Sequence, residues 1–264
     1  MSESMKKAIV TTGHKVKEDS SKLAKETAAR LGFDFVERGK ASIEALKEEY
    51  KTELVLVAKK KALVLVTPDG ELFFHPNMAH LRVKNIRLGQ KDHMIEAMEL
   101  RAGMSVLDCT LGFGADAIVA SFVAGPEGSV TGLEVSPLIS EIVGYGLTHF
   151  IAGNYPLQEA MRRINVVMMD YLMYLQQQSD KSVDIVYLDP MFRYPLKASI
   201  NLQPLRCVAE PRAVSIAAIE EAKRVARCRV VMKENSRSLE FKRLGMQYVL
   251  GGKYSSVHYG VIDL

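Results

Sequence analysis

The stretch VDIVYLDPMF, residues 183–192, begins as an apolar run and ends on an acid, a proline and an aromatic ring. Its first six residues read as a short buried strand, which Asp189-Pro190 ends abruptly. Acids and prolines commonly stop strands, so this ending fits either ordinary turn chemistry or a binding site. The flanking chain separates the two readings. From Asp92 onward a helix over 92–100 leads to a strand at 105–108, a helix over 115–123 and a strand at 130–134. Ser136-Pro137 supplies a cap and a first-turn proline for a helix reaching about residue 147. Strands at 164–168 and 184–188, a helix over 212–227 and a strand at 229–233 follow, and 247–250 with 257–262 closes the chain as an antiparallel pair. This alternation predicts an α/β fold with a doubly wound, mostly parallel sheet and an antiparallel C-terminal strand. Ligands of such sheets bind at the carboxyl ends of the strands. Asp108, Glu134, Asp170 and Asp189 all fall there, which is more acid than turns require.

Upstream the grammar differs. Strands are expected at 9–12, 33–37, 54–57, 62–66 and 71–74, with helices over 19–31 and 42–50. Turns at Lys59-Lys60-Lys61 and Pro68-Asp69-Gly70 separate the last three strands. The chain therefore divides into a small N-terminal α/β domain over 1–85, a candidate for RNA binding, and a larger domain over 86–264, with 75–91 as the linker. A hydrophobic fraction of 48% and a charged fraction of 25% fit a protein with a sizeable core. No apolar run of about 18 residues predicts a membrane helix. The opening MSESMKKAIVTT lacks a secretory apolar core, so a cytoplasmic location is expected. Cys109, Cys207 and Cys228 are odd in number and far apart, which fits a reducing compartment. His75 and His80 lack a ligand set around them, so no metal is expected.

Charge is segregated. Residues 1–90 carry a net +5, residues 91–190 a net −8 and residues 191–264 a net +7. An acidic centre between basic flanks fits a cationic ligand inside a polyanion-binding surface, although scattered solvated faces give the same count. The turn DCTLGFGADA, residues 108–117, satisfies G-x-G-x-x-A, and Glu134 lies 20 residues beyond Gly114. That is the offset of an acid on a ribose hydroxyl, so an NAD(P)-dependent oxidoreductase is the competing reading. A dinucleotide pyrophosphate would sit on the helix N-terminus. Asp108 and Asp116 flank that position and would repel it. S-adenosylmethionine (SAM) has no phosphate and carries a sulfonium and an ammonium, which carboxylates attract. Asp108, Thr110, Gly112 and Gly114 then form the cofactor turn, Glu134 takes the ribose hydroxyls, and Asp170 accepts from the adenine amine.

An acid-proline-x-aromatic turn after the fourth strand resembles the (Asp/Asn)-Pro-x-(Phe/Tyr) motif of class I methyltransferases acting on exocyclic base amines. Asp189 would bind the amine, Pro190 would fix the turn and Phe192 would stack on the base. Residues 106–264 are similar to the bacterial 16S rRNA guanine-N2 methyltransferase family. The similarity rests on DCTLGFGADA, the LEVSP turn at 133–137, DYL at 170–172, VYLDPMF, RVVMK at 229–233 and GKYSSVHYG at 252–260. It implies a Rossmann-like methyltransferase sheet, SAM as cofactor and small-subunit rRNA as partner. It also implies cofactor contacts at Asp116, Glu134, Val135, Asp170, Tyr171 and Asp189. Ala115 and Val135 stand where the family usually has arginine. Arg193, Lys197 and Arg206 are candidate phosphate contacts, and Lys233 either meets substrate or simply ends its strand. A SAM-binding protein without catalysis is the reading outside enzymology, and the intact Asp-Pro-Met-Phe turn opposes it.

Overall fold

The computed structural model describes residues 7–14, 17–153, 155–190 and 203–264, the side chains of Gln203 and Arg206 excepted. In chain order the first half gives β1 (Ala8–Thr12), α1 (Glu18–Leu31), β2 (Asp34–Phe35), α2 (Ile43–Tyr50), β3 (Leu54–Lys59), β4 (Ala62–Thr67), β5 (Gly70–Phe73), α3 (Asn77–Arg87) and α4 (His93–Met98). Then come β6 (Ser105–Asp108), α5 (Ala115–Ala124), β7 (Ser129–Leu133), α6 (Pro137–His149), α7 (Tyr155–Arg162), β8 (Ile164–Val167), α8 (Tyr171–Gln177) and β9 (Val183–Leu188). The chain ends with α9 (Gln203–Arg206), α10 (Ile216–Val225), β10 (Ala226–Asn235), α11 (Glu240–Arg243), β11 (Tyr248–Leu250) and β12 (Val257–Asp263).

Two compact units result. The first takes in the described residues of Met1–His75, Pro137–Phe150 and Ala198–Ala209, and the second holds the rest. This differs from the boundary expected at 85/86. The contacts change sides at His75/Pro76, and α6 joins the first unit because it packs on β4 there. The ring of Phe74 fills the space over Gly146, where an added Cβ would come within 2.2 Å of it. The expected linker is also a helix: α3 buries Ala79 and Val83, four residues apart on one face.

The first unit holds a sheet in the order β2-β1-β3-β4-β5. β1 pairs in parallel with β2 and β3, whereas β3, β4 and β5 form antiparallel hairpins. Its core gathers Ile9, Val36, Leu46, Val55 and Val57.

The second unit holds the sheet that positions the site, in the order β11-β12-β10-β9-β6-β7-β8. β6 to β10 are mutually parallel, and β12 runs antiparallel to β10 and to β11. Ile185, Val186, Tyr187 and Leu188 of β9 are all buried. A strand covered on both faces reads as this continuous apolar run, without polar alternation. Chain order reverses between β6 and β9, so their carboxyl ends flank the crevice in which doubly wound sheets bind ligands. This is the Rossmann-like arrangement expected, with its antiparallel C-terminal strands. No helix among the described residues is long and apolar enough to cross a membrane.

Candidate active site

β6 ends at Asp108, and Asp108 Oδ1 accepts from the Thr110 backbone N–H at 3.0 Å. The chain then turns through Gly112 (φ 48) and Gly114 (φ 74), left-handed conformations that glycine adopts at little steric cost. The turn is pinned to β7 by Leu111 N–H donating to Leu133 O at 2.8 Å. Gly132 makes room for it: a Cβ there would lie 2.5 Å from Leu111 Cδ1. Glu134 binds the same turn, because its Oε2 accepts from Gly112 N–H at 3.1 Å while Oε1 accepts from Ser136 N–H at 2.8 Å. Each Glu134 oxygen keeps acceptor capacity for a hydroxyl. Thr110 Oγ1 accepts from Asp189 N–H at 2.5 Å, which joins the glycine turn to the turn leaving β9.

An ion-pair chain runs behind this edge. Lys233 Nζ donates to Asp189 Oδ2 at 2.7 Å and to Asp116 Oδ2 at 2.9 Å. Asp116 also accepts from the Tyr187 hydroxyl at 2.7 Å and from Arg82. Arg82 in turn grips Asp92 with two N–H groups, at 2.7 and 2.9 Å. Burial pushes Asp116 upward, but Lys233 and Arg82 outweigh it and hold the carboxyl well below its ordinary range. Burial opposes charge on Arg82 and Lys233 as well, and their carboxylate partners keep both firmly protonated. For Asp189 burial dominates. Lys233 pulls it down and Asp116 pushes it up, leaving it raised to about 6.

Asp108 is different. It is 2% exposed, and among the described residues no cation lies within ion-pair distance of it. Burial, with the like charges of Asp116 and Asp189 behind it, pushes its carboxyl up to about 8. Among the described residues the cluster of Asp92, Asp108, Asp116 and Asp189 thus meets two protein cations, Arg82 and Lys233. A cationic ligand would supply the missing charge, and unlike charges about 4 Å apart attract by roughly 4 kcal/mol at an effective dielectric of 20. Asp108 for the cationic end and Glu134 for the ribose hydroxyls therefore fit SAM. Among the described residues a Cβ at Gly112 would meet nothing nearer than the Thr110 carbonyl at 3.9 Å.

The remaining expected residues are placed as follows. Asp170 caps α8, its Oδ1 accepting from Leu172 and Met173 N–H, and its Oδ2 accepts from Arg212 at 2.6 Å. Burial raises the Asp170 carboxyl, but the Met173 N–H bond and Arg212 lower it further, so it stays ionised. Both oxygens already have protein donors, so an adenine amine would share them. Tyr171 opens α8 half-buried against the core, and Val135 is half-buried after β7. Pro190 follows Asp189 at the crevice, whereas Phe192, Arg193, Lys197 and the side chain of Arg206 lie outside the described residues. Sequence reasoning missed Arg82, Asp92 and Tyr187 as members of this cluster. The available signal was the surplus of acid in residues 91–190, which called for buried cations from elsewhere.

Comparison with known proteins agrees with this geometry. A family model described as "Putative SAM-dependent methyltransferase" matches residues 31–255. The chain is 39% identical over 255 residues to the "Uncharacterized protein YpiP" of Bacillus subtilis (strain 168), a match spanning 97% of this chain and 99% of that protein. It is 29% identical over 149 residues to the ribosomal RNA small subunit methyltransferase J of Psychrobacter arcticus, which covers 53% of this chain and 49% of the relative. The protein of the same name from Acinetobacter baylyi is 34% identical over 110 residues, covering 40% of this chain and 39% of the relative. Among solved structures, a SAM-dependent methyltransferase from Neisseria gonorrhoeae superposes with a TM-score of 0.66 at 18% identity, covering 97% of this chain and 95% of that one, and so shares the fold. These matches set aside the oxidoreductase reading of the glycine turn. With an acid-rich crevice at the switch point of a seven-stranded sheet and a family match over most of its length, the chain belongs to the SAM-dependent methyltransferases.

Proposed function

We propose that this methyltransferase modifies an exocyclic amine of a nucleobase, and that guanine N2 of small-subunit rRNA is its substrate. The observation that carries the reading is the placement of Asp189. Its carboxylate stands at the carboxyl end of β9 beside β6, remains 27% exposed, and is held from behind by Lys233. An acceptor in that position takes one N–H of an amine and fixes where the nitrogen lone pair points. Orientation of this kind supplies much of the rate in transfer between two bound partners. The cofactor supplies an activated methyl group. An amine that takes up a methyl group would have to give up a proton. Asp189, mostly ionised at neutral pH, is placed to take it. Phe192, two residues past Pro190, provides a ring for the base on sequence grounds. The names of the partial-length relatives and the resemblance of the VYLDPMF turn support rRNA as the substrate class.

The test is methyl transfer from labelled SAM into small-subunit RNA from cells lacking this protein, followed by nucleoside identification. N2-methylguanosine is expected, and Asp189→Ala should abolish it. A C-methylated or ribose-methylated product would defeat the reading, because neither needs an amine acceptor.

A further inference from the structure

The GKYSSVHYG motif, residues 252–260, contributes little to the chemistry just described, yet its register puts it beside the site. Met232 of β10 pairs with Leu188 of β9, and Asn235 of β10 lies opposite Val257 of β12. The loops at 236–239 and 251–256 therefore leave the sheet at the edge where Asp189 stands. The first loop is one strand over and the second two, about 5 and 10 Å sideways, and both lie about two residues, or ~7 Å, further out.

Both loops are built structures. Ser236 N–H donates to Ser256 O at 2.9 Å, and Ser255 N–H donates to Gly252 O at 2.9 Å. The Ser255 hydroxyl donates to Val257 O at 2.8 Å and accepts from Val257 N–H at 3.1 Å. Arg237 N–H donates to the Asn235 side chain at 2.9 Å. On this frame Tyr254 is 92% exposed, with Lys253 Nζ 5.5 Å from its ring centroid. Leu239 is 80% exposed and Arg237 is exposed beside it. Neither loop contains an acidic residue: they read SRSL and GGKYSS. A fully solvated aromatic ring with a cation beside it and a second on the loop bonded to its own, on a frame this well bonded, matches the stacking platforms that hold single-stranded nucleic acid.

We infer that Tyr254, Lys253 and Arg237 form the seat for an unpaired nucleotide flanking the target base. Tyr254 stacks on its base, and the two cations neutralise the adjoining phosphates. This rests on the RNA reading above and adds the requirement that the substrate reach the site as a single strand, since a base inside a duplex offers no face to the ring. Lys253 and Arg237 carry no sequence information, so the platform accepts any base beside the target.

The test uses the full chain and a labelled mixed-sequence single-stranded RNA of about twelve nucleotides, with its duplex as the counterpart. Tyr254→Ala should weaken single-strand binding by about 5- to 100-fold, and Tyr254→Phe should restore most of it. Arg237→Gln and Lys253→Gln should each flatten the salt dependence by about 0.7 in log–log slope. The KM for RNA should rise in parallel in the methyl-transfer assay, and SAM affinity by calorimetry should stay at the wild-type value. Equal binding of single strand and duplex, or wild-type binding by Tyr254→Ala, overturns the platform. So does an equal loss in Tyr254→Ala and Tyr254→Phe, because stacking needs only the ring. Tyr254-dependent RNA binding without any RNA methylation would keep the platform and remove the substrate reading, whereas absence of RNA binding in the wild type would remove both.

Discussion

Asp108→Asn offers the most direct probe of the acid-rich crevice. Asn keeps the size of the side chain and an oxygen for the Thr110 N–H, but it cannot ionise. The Asp108 carboxyl shifts from an ordinary 3.8 to about 8 because it is buried, beside Asp116 and Asp189, with no cation among the described residues at ion-pair distance. A group raised in this way stabilises the fold fully below the unfolded-state value, near pH 4. It loses that contribution as pH climbs to about 8. Each unit of the shift is worth about 1.4 kcal/mol. Relative to Asp108→Asn, the wild type should therefore lose about 1.4 kcal/mol per pH unit between pH 4 and pH 8, and the gap should be flat above that. At pH 7 the variant is expected to be more stable by about 4 kcal/mol. Urea denaturation of both proteins at pH 5, 7 and 9, without cofactor, measures this gap. Adding SAM should narrow it, since a cation beside Asp108 favours the ionised carboxylate and stabilises the wild type more. A gap that stays constant with pH, or a variant less stable at pH 9, would refute the argument that Asp108 waits for a cation.

Lys233→Met leaves Asp116 and Asp189 facing each other without their shared cation and should cost about 3 kcal/mol of stability. Asp189, already raised to about 6, should climb further, so methyl transfer should fail at a higher pH as acid is added. A pH–rate profile that matches the wild type would show that Lys233 does not govern Asp189. Glu134→Ala should weaken SAM binding by about 1–3 kcal/mol in calorimetry, and unchanged affinity would remove Glu134 from the ribose site. Gly132→Ala drives a methyl group into Leu111 and should cost about 1–3 kcal/mol in urea melts, with weaker SAM binding as the glycine turn lifts. A variant as stable as the wild type would mean that Leu111 has room to move.

The large parallel sheet was legible because each strand is a short apolar run ended by an acid or a turn residue, and each long crossover helix repeats at helical spacing. Asp108, Glu134, Asp170 and Asp189 could be placed at one edge from that pattern alone. Several helices escaped it, α3, α7 and α8 among them. Pro76 and Gly89 bracket α3, so punctuation hid a helix whose buried face amounts to Ala79 and Val83. α7 and α8 span eight and seven residues, too short for a periodic signal to stand out. The partners of the acids were less legible still. Arg82 meets Asp116 across 34 residues and Lys233 meets Asp189 across 44, separations that no local spacing encodes. Only the charge imbalance of the central segment hinted that such cations must exist.

The assignment of α6 to the first unit bears on how the chain is made. Domains usually fold as they leave the ribosome, the N-terminal one first. Here β1 to β5 are complete by Phe73, yet the helix that packs on β4 is not synthesised until His149, after two strands and the glycine turn of the second unit. The groove over Phe74 and the apolar face of β4 wait through some seventy residues of translation. For the nascent chain this is an interval of exposed hydrophobic surface, during which trigger-type chaperones and slow elongation would matter. For the engineer it means that a cut at His75/Pro76 separates a sheet from its own covering helix, so the two units are inherited, expressed and truncated together.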